Sequence, residues 1–320
     1  MKVVAALGGS QSLHEPKEEG EALKLIERAE RAWVDLSLEE ASKAEWLTKL
    51  GVPSLALERA LSREAPSCSN VEGWFILKLP AFTEARLLIH GGLSMVFNDR
   101  LIATLHPKDV RQPEEEMKEA SPKLRVNAAY IVYQLAGRIV EDSHGIMERL
   151  EADLMRLEDE VVEGGGGGDI LRKVLASKRR LLTLSRGLWA LRDAVHSLRR
   201  ASPSFIDQEL DERLGQVCDE VDRLAEILET YKLMASDLIN MHATSLSARL
   251  NITVRDLTLA MLYLTVVATV IGFPNTVATI FGVPALAEAI EAHWVSILIA
   301  ASAVIPMLWL KSLWSLLKRK

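Results

Sequence analysis

The sequence LTLAMLYLTVVATVIGFPNTVATIFGVPALA, from Leu257 to Ala287, contains no charged residue. A helix needs about 20 apolar residues to cross a lipid bilayer, so this stretch is long enough to form a transmembrane helix. It predicts a membrane protein and not a chain that is water-soluble throughout.

A second uncharged stretch, Trp294 to Leu310, is just long enough to span the bilayer with little tilt. It is followed by Lys311 and by the basic residues 318–320, whereas the connection between the spans contains Glu288 and Glu291 but no Lys or Arg. Positive residues stay on the cytoplasmic side of a membrane. We therefore expect a two-span hairpin at a cell membrane, with both termini of the chain in the cytoplasm.

A stripe of mostly small or polar residues recurs along the first span at alternating spacings of three and four. They are Thr258, Met261, Thr265, Ala268, Gly272, Asn275, Thr279 and Gly282. A period of 3.5 residues is typical of helices that pack side by side in a bundle. Polar residues at such positions in lipid face the bundle interior or a water-filled path. Small residues also allow close helix packing, so the pattern alone leaves both interpretations open.

The composition describes a large soluble part attached to a small apolar one. The chain has 320 residues, of which 26% are charged, and a formal net charge of −6, which offers no general surface for nucleic acid. Cys68 and Cys218 stand alone in the sequence, as expected of free thiols in a reducing compartment. The opening MKVVAALGG is too short an apolar run for a secretion signal, so we expect the membrane hairpin to direct targeting.

Residues 1–118 are predicted to form a cytoplasmic α/β domain. Ser37 and Glu40 form a capping box that opens a helix towards Leu50. The predicted strands are Trp33–Leu36, Val71–Leu79, Leu87–Ile89, Leu93–Phe97 and Leu101–Leu105. The sequence contains no glycine-rich phosphate loop, no Ser/His/Asp constellation and no paired-histidine metal spacing. These absences favour a protein that is not an enzyme and that needs no organic cofactor.

Residues 119–256 are predicted to form a helical stalk. Its helices cover residues 122–162 and 169–200, with the glycines 164–168 as a flexible tip between them, and a third helix begins near Ile206. The third helix carries a coiled-coil-like seam, from which we expect chains to associate through the stalk: Leu210, Leu214, Val217, Val221, Leu224, Leu228, Tyr231 and Leu238. No glycine or proline intervenes between Gly215 and Gly272, so this helix is predicted to run unbroken into the first span.

In this order of parts the chain resembles the CorA family of divalent-cation transporters over nearly its whole length. The resemblance rests on LIATLH (Leu101–His106), on SLSARLN (Ser245–Asn251) and on the segment from Leu264 to Gly282, which aligns without gaps with the family's first span. It implies an α+β membrane protein that assembles as a funnel-shaped homopentamer. The implied domains are the α/β domain at 1–118, the stalk at 119–256 and a transmembrane domain at 257–320.

The resemblance also implies which residues line a pore. Five copies of the first span would surround it, with Met261 and Leu264 as a hydrophobic constriction. The outer mouth reads Gly282-Val283-Pro284 where the family carries Gly-Met-Asn. The complete set of predicted pore-lining residues is Thr258, Met261, Leu264, Thr265, Ala268, Gly272, Asn275, Thr279, Gly282 and Pro284.

Three further interpretations concern charged or polar residues near the predicted pore. Asn275 is expected to form the main polar ring, although it would equally suit a bond to a neighbouring helix or a cap near Pro274. Glu288 and Glu291 would attract cations to the external loop, or merely keep that loop soluble. Asp219 and Asp222 are named as regulatory metal ligands, although acidic residues on a stalk are usually its solvated face.

The predicted function is transport of a hydrated divalent cation, with magnesium first and cobalt, nickel or zinc as alternatives, gated by cytoplasmic metal. The expected partners are further copies of the chain, the lipid bilayer and the ions themselves. The alternative is a membrane-anchored coiled-coil metal sensor or scaffold that has the same architecture and does not conduct.

Overall fold

The computed structural model describes residues 1–7, 10–16, 18–42, 45–83, 87–120, 127–163, 167–283 and 292–317. The chain divides into two compact units, Met1–His242 and Ala243–Lys320. The predicted basic tail at residues 318–320 lies outside the described residues.

The strands of the first unit form one seven-stranded sheet. They are β1 (Lys2–Leu7), β2 (Ser10–His14), β3 (Arg31–Ser37), β4 (Ser67–Val71), β5 (Trp74–Phe82), β6 (Leu87–Phe97) and β7 (Leu101–His106). The spatial order is β2-β1-β3-β7-β6-β5-β4. Neighbours pair antiparallel except β3 and β7, which are parallel. The strands predicted around Trp33 and at Leu101–Leu105 are confirmed as β3 and β7.

The segment Val71–Leu79, predicted as a single strand, is part of a hairpin. β4 ends at Val71 and β5 begins at Trp74. Between them, Glu72 and Gly73 have φ angles of 52° and 85°. Positive φ at both central residues is what a two-residue hairpin turn of type I′ requires. The prediction of one strand was wrong because Glu72 is a turn residue and not the polar end of a strand.

Two more features of the sheet differ from the prediction. The N-terminal apolar run, for which no strand was predicted, forms β1. The two strands predicted on either side of Gly91 and Gly92 are one continuous strand, β6. The register between β5 and β6 shifts at Leu79 and Ala81, and Gly92 faces this irregularity. The glycines therefore accommodate a bulge in the partner strand and do not end β6.

The described helices include short ones around the sheet and four long ones after it. They are α1 (Glu19–Arg28), α2 (Leu38–Ala41), α3 (Ser54–Leu61), α4 (Gln112–Ala120), α5 (Ala128–Val162), α6 (Gly167–Ala201), α7 (Gln208–Phe281) and α8 (Ala292–Leu317). α5, α6 and the first part of α7 bury apolar side chains in one cluster with one face of the sheet. The other face packs against the short helices in a second core.

The capping box predicted at the start of α2 is present. The Ser37 backbone N–H donates to Glu40 Oε2 at 3.0 Å. The helix nevertheless ends at Ala41, and a separate 3₁₀ helix covers Glu45–Leu50. The prediction of one helix towards Leu50 was therefore wrong. The 3₁₀ segment instead brings Trp46 into the second core, where it is buried.

The three long helices after the sheet are confirmed with shifted ends. α5 begins at Ala128, where the Asn127 side chain caps it by accepting from the Ala129 backbone N–H at 3.0 Å. Of the five glycines predicted as a flexible tip, residues 164–166 lie outside the described residues and the last two begin α6. α7 runs from Gln208 to Phe281 without a break, as predicted.

The apolar seam at the start of α7 is buried inside the chain. Its members Leu210, Leu214, Val217, Val221, Leu224, Leu228 and Leu238 are each at most 7% exposed. All of these except Leu210 share a core with side chains of α5 and α6. Polar pairs join the same helices, such as His144 Nε2 with Glu220 Oε1 at 2.8 Å and Arg199 Nε with Asp211 Oδ1 at 2.8 Å. The seam packs within one chain, so it is not evidence for association between chains.

A polar network is buried where the parallel strands β3 and β7 end. His106 Nε2 lies 3.1 Å from Asp35 Oδ1, and His106 Nδ1 lies 2.8 Å from the Pro107 carbonyl oxygen. Thr104 Oγ1 donates to Asp35 Oδ1 at 2.6 Å and accepts from Trp33 Nε1 at 3.1 Å. Because both nitrogens of the His106 ring face acceptors, the site suits the doubly protonated imidazolium.

We expect Gly92→Ala to lower the stability of the full-length chain in detergent by about 1–3 kcal/mol, the usual cost of overpacking. The added Cβ would lie 2.6 Å from the Ala81 backbone nitrogen and 2.9 Å from the Leu79 carbonyl oxygen. Gly137→Ala in α5 is the control, because an added Cβ there meets nothing within 4 Å. Thermal unfolding checks this, and equal melting temperatures for the two variants would contradict the account of the bulge.

The network at His106 predicts a pH-dependent stability. Burial alone would lower the pKa of His106, but the hydrogen bond and charge of Asp35, helped by the Pro107 carbonyl and Glu114, hold that pKa above its ordinary value. Such a histidine adds stability that is complete below its unfolded pKa of about 6.5 and is lost as the pH rises through its folded pKa. The gap in melting temperature between the wild type and His106→Gln should therefore shrink with rising pH. A gap that stays constant with pH would show that the imidazolium is not what stabilises the fold.

Candidate functional site

The second half of α7 is long and apolar enough to cross a membrane, and none of its apolar window is buried within the chain. Among the described residues it is the one helix that meets this test. α8 contains a shorter apolar stretch, His293–Ile305. The predicted first span is thus a helix as far as Phe281, while the second span at Trp294–Leu310 stays a prediction.

Five threonine side chains in this apolar part of α7 share one arrangement. Each hydroxyl donates to the backbone carbonyl four residues earlier, at 2.7–2.8 Å. The residues are Thr258, Thr265, Thr269, Thr276 and Thr279, and all are exposed in the single chain. Because the proton is used inside the helix, each hydroxyl oxygen presents only lone pairs to its surroundings. The arrangement suits a neighbour that needs acceptors, such as a cation or its bound water.

These threonines lie on one face of the helix. Successive residues of an α-helix are about 100° apart, which places all five within about 80° of arc. Thr258 and Thr269 are eleven residues apart, as are Thr265 and Thr276. An eleven-residue repeat corresponds to about 3.67 residues per turn, which is closer to the value of about 3.6 for a straight α-helix than the 3.5 of a seven-residue repeat. Thr269 and Thr276 fall outside the 3.5-residue period of the predicted stripe, so that period alone does not identify them.

The predicted pore stripe does not coincide with this threonine face along its whole length. A 3.5-residue repeat drifts by about 20° per heptad on a straight α-helix, so the stripe turns away between Thr258 and Gly282. Asn275 and Thr276 are adjacent and lie about 100° apart around the helix. Only one of these two side chains can point directly at a central axis.

The remaining predicted pore residues are placed as follows. Met261 and Leu264, the expected constriction, are 58% and 70% exposed on α7. Gly282 follows the helix, and its N–H donates to the Ala278 carbonyl at 2.9 Å. The other stripe residues, Ala268 and Gly272, lie within α7. Pro284 at the predicted mouth and the loop residues Glu288 and Glu291 lie outside the described residues.

The acidic residues named as regulatory ligands lie on α7 in the first unit. Asp222 Oδ1 is 2.6 Å from Arg192 Nε, whereas Asp219 is exposed. Within the described residues, no group of three or more His, Cys, Asp or Glu side chains is arranged to hold a metal ion. A metal bound by Asp222 would have to displace Arg192, and further ligands would have to come from elsewhere. The regulatory role of these two residues stays a prediction.

A comparison with protein families accounts for the combination of sheet, long helices and apolar helix. The profile of the family described as CorA-like Mg2+ transporter protein matches residues 29–312. The chain belongs to this family. The family consists of transporters, in agreement with the prediction that the chain is not an enzyme.

Individual relatives of the CorA family agree with this assignment. The Cobalt/magnesium transport protein CorA of Thermotoga maritima is 25% identical over 240 residues, which are 72% of this chain and 66% of that protein. The match thus spans slightly less than two thirds of this curated relative.

Two solved structures share the fold over almost the whole chain. The complete structure of the CorA magnesium transporter from Methanocaldococcus jannaschii has a TM-score of 0.69 at 20% identity and covers 96% of each chain. The structure of the full-length CmaX protein has a TM-score of 0.70 at 18% identity, covering 98% of this chain and 96% of its own. At these identities they establish the fold alone.

Proposed function

We propose that the chain transports divalent cations across a cell membrane through a pore lined by the apolar half of α7. Magnesium is the first candidate, because the matched family is named for it and the Thermotoga relative is named for cobalt and magnesium. Cobalt, nickel and zinc are the alternatives. The observation that carries the proposal is the row of threonine oxygens on an uncharged, membrane-length helix.

The pore requires several copies of the chain. We propose a homopentamer in which five α7 helices surround the path, α8 forms an outer span, and both termini are cytoplasmic. The exposed apolar side chains of α7 beyond the first unit support an association, since the described residues leave them largely uncovered. Leu246, Leu250, Ile252, Val254 and Leu257 are each more than half exposed. Side chains of this kind are buried by neighbouring helices or by lipid.

Rings of neutral oxygens suit a strongly hydrated cation. Magnesium gives up its water reluctantly and prefers octahedral oxygen coordination. Threonine hydroxyls that present only lone pairs can accept hydrogen bonds from the water shell of the ion without stripping it. Several weak sites in a row allow an ion to enter and also to leave, which conduction requires.

Gating and attraction complete the proposed path. Rings of Met261 and Leu264 would form an apolar constriction that closes by losing its water. Glu288 and Glu291 would raise the cation concentration at the external mouth. Cytoplasmic metal bound near Asp219 and Asp222 would regulate the pore, with the Arg192 contact of Asp222 as the interaction that binding breaks.

The alternative of a non-conducting membrane-anchored sensor is not favoured. A helix needed only as an anchor would function with Leu, Ile and Val all around it. The five threonines instead occupy one narrow face of the helix. The same stretch contains no charged residue, such as a binding surface in water would use. This arrangement supports conduction over a scaffold.

Two neighbouring substitutions test which side chain faces the path. If Asn275 forms the main polar ring, Asn275→Leu replaces five amides by an apolar constriction, so magnesium flux into liposomes should fall at least tenfold while the pentamer stays intact. Thr276→Val should then retain most of the flux. Thr253→Val is the control, since Thr253 makes the same bond to a backbone carbonyl, at 3.0 Å, but lies before the apolar stretch.

The opposite pattern would assign the path to the threonine face. Flux that survives Asn275→Leu and collapses in Thr276→Val would show that the prediction for Asn275 is wrong. A loss of the pentamer in Asn275→Leu, seen by native mass spectrometry, would identify Asn275 as a packing residue.

A further inference from the structure

A cavity of about 510 Å³ opens in the first unit, far in sequence from the proposed pore. It lies where the end of β5, the start of α4 and the middle of α5 meet. Gln112 and Glu115 of α4 and Asp142 of α5 are among its lining residues. This volume falls within the range of about 300–1,000 Å³ that is usual for ligand sites.

Gln112 holds one wall of the cavity and is only 7% exposed. Its Nε2 donates to the Phe82 carbonyl oxygen at 2.8 Å and to Asp142 Oδ2 at 2.7 Å. The reversed amide would set its oxygen against two acceptors, so the orientation is fixed. Gln112 Oε1 is then a buried acceptor with no partner among the described residues. A buried acceptor is normally satisfied, and this one is on the same amide that contacts Asp142.

The carboxylates beside this acceptor repel one another. Burial raises the pKa of Asp142, the hydrogen bond from Gln112 opposes that shift, and the charges of Glu115 and Glu141 add to it. Glu115 forms no ion pair within the described part of the chain. Arg138 is the cation that acts most on Asp142, and it is already paired with Glu116 at 3.3 Å. The cavity lining thus contains three carboxylates, those of Asp109, Glu115 and Asp142, beside two arginines.

We propose that Asp142 and Glu115, together with the free oxygen of Gln112, bind a hydrated divalent cation in this cavity. Magnesium sites in proteins use one or two carboxylates and keep several waters, so three converging protein carboxylates are not needed. The amide oxygen contacts the ion directly or through one of its waters. Gln112 and Glu115 are three residues apart on α4 and thus lie on one face of the helix.

Two arginines lie on the wall of the same cavity and limit how tightly a cation is held. Arg111 and Arg149 are exposed and act on Asp142 less than Arg138 does. Their positive charge opposes a cation, so we expect dissociation constants of about 10⁻⁴–10⁻³ M, as at weak oxygen-ligand sites. A site of this affinity responds to changes in cytoplasmic metal concentration. It is separate from the residues Asp219 and Asp222 on α7.

The test counts bound Mn2+ on the full-length protein in detergent, using the electron paramagnetic resonance signal of the free ion. We expect Glu115→Gln and Asp142→Asn each to bind one Mn2+ fewer per chain than the wild type. Glu141→Gln is the matched control, because it removes the same charge from the same helix but does not line the cavity. It should keep the wild-type number.

Two results would overturn the proposal. The first is a wild-type number of bound ions in both Glu115→Gln and Asp142→Asn. The second is an unchanged number of bound Mn2+ ions in these variants, together with binding of inorganic phosphate that is lost in an Arg111→Gln/Arg149→Gln double variant. That result would make the cavity an anion site. If Asp142→Asn fails to fold, Glu115→Gln still decides, since Glu115 is exposed. The count concerns binding alone, so it is independent of whether the chain conducts.

Discussion

The backbone of α7 has to be satisfied in two different surroundings, and the rest of the structure follows from that constraint. In its first part, leucines and valines of the helix pack against α5 and α6 and are buried. In its second part no side chain of the apolar window is buried by the chain, and the backbone can rely only on its own helical hydrogen bonds. Threonine fits this second part because its hydroxyl bonds back to the helix and needs no partner in lipid. The same bond leaves an acceptor oxygen on the surface of the helix.

The mouth motif and the threonine face bear on how such a helix could select ions. The resemblance to the family implies an asparagine at the outer mouth where this sequence reads Pro284, a residue whose side chain has neither donor nor acceptor. Polar contacts for a hydrated ion must then come from deeper in the helix. Hydroxyl oxygens are weak, neutral ligands, so they would favour passage over tight binding. If the threonine face and not Asn275 lines the path, the path would discriminate less sharply among divalent ions than an amide ring.

The sequence was sufficient for the features that depend on local pattern. The apolar first span, the unbroken α7, the capping box at Ser37 and the strands β3 and β7 all follow from composition, period and turn chemistry.

Features that depend on pairing across the chain could not be predicted in the same way. The seam from Leu210 to Leu238 has the spacing of an interface between chains. The spacing does not reveal which helices pack against it, and in the structure these are α5 and α6. The bulge at Gly92 looked like a strand end because two glycines usually weaken a strand. The pairing of Gln112 with Asp142 joins residues 30 positions apart and has no signal in the sequence. The faces of α7 could have been resolved further, since the eleven-residue spacing of its threonines is visible in the sequence alone.

Uptake of magnesium into liposomes that contain the purified full-length chain tests the central claim most directly. A divalent ion gains about 4.6 kcal/mol for each 100 mV of inside-negative potential, twice the value for a single charge. The account predicts uptake that requires the protein, rises with an imposed inside-negative potential and saturates with magnesium concentration. The contradicting result is a lack of uptake by an assembly that native mass spectrometry shows to be intact. In that case the liposomes would take up no more magnesium, cobalt, nickel or zinc than protein-free liposomes at any potential.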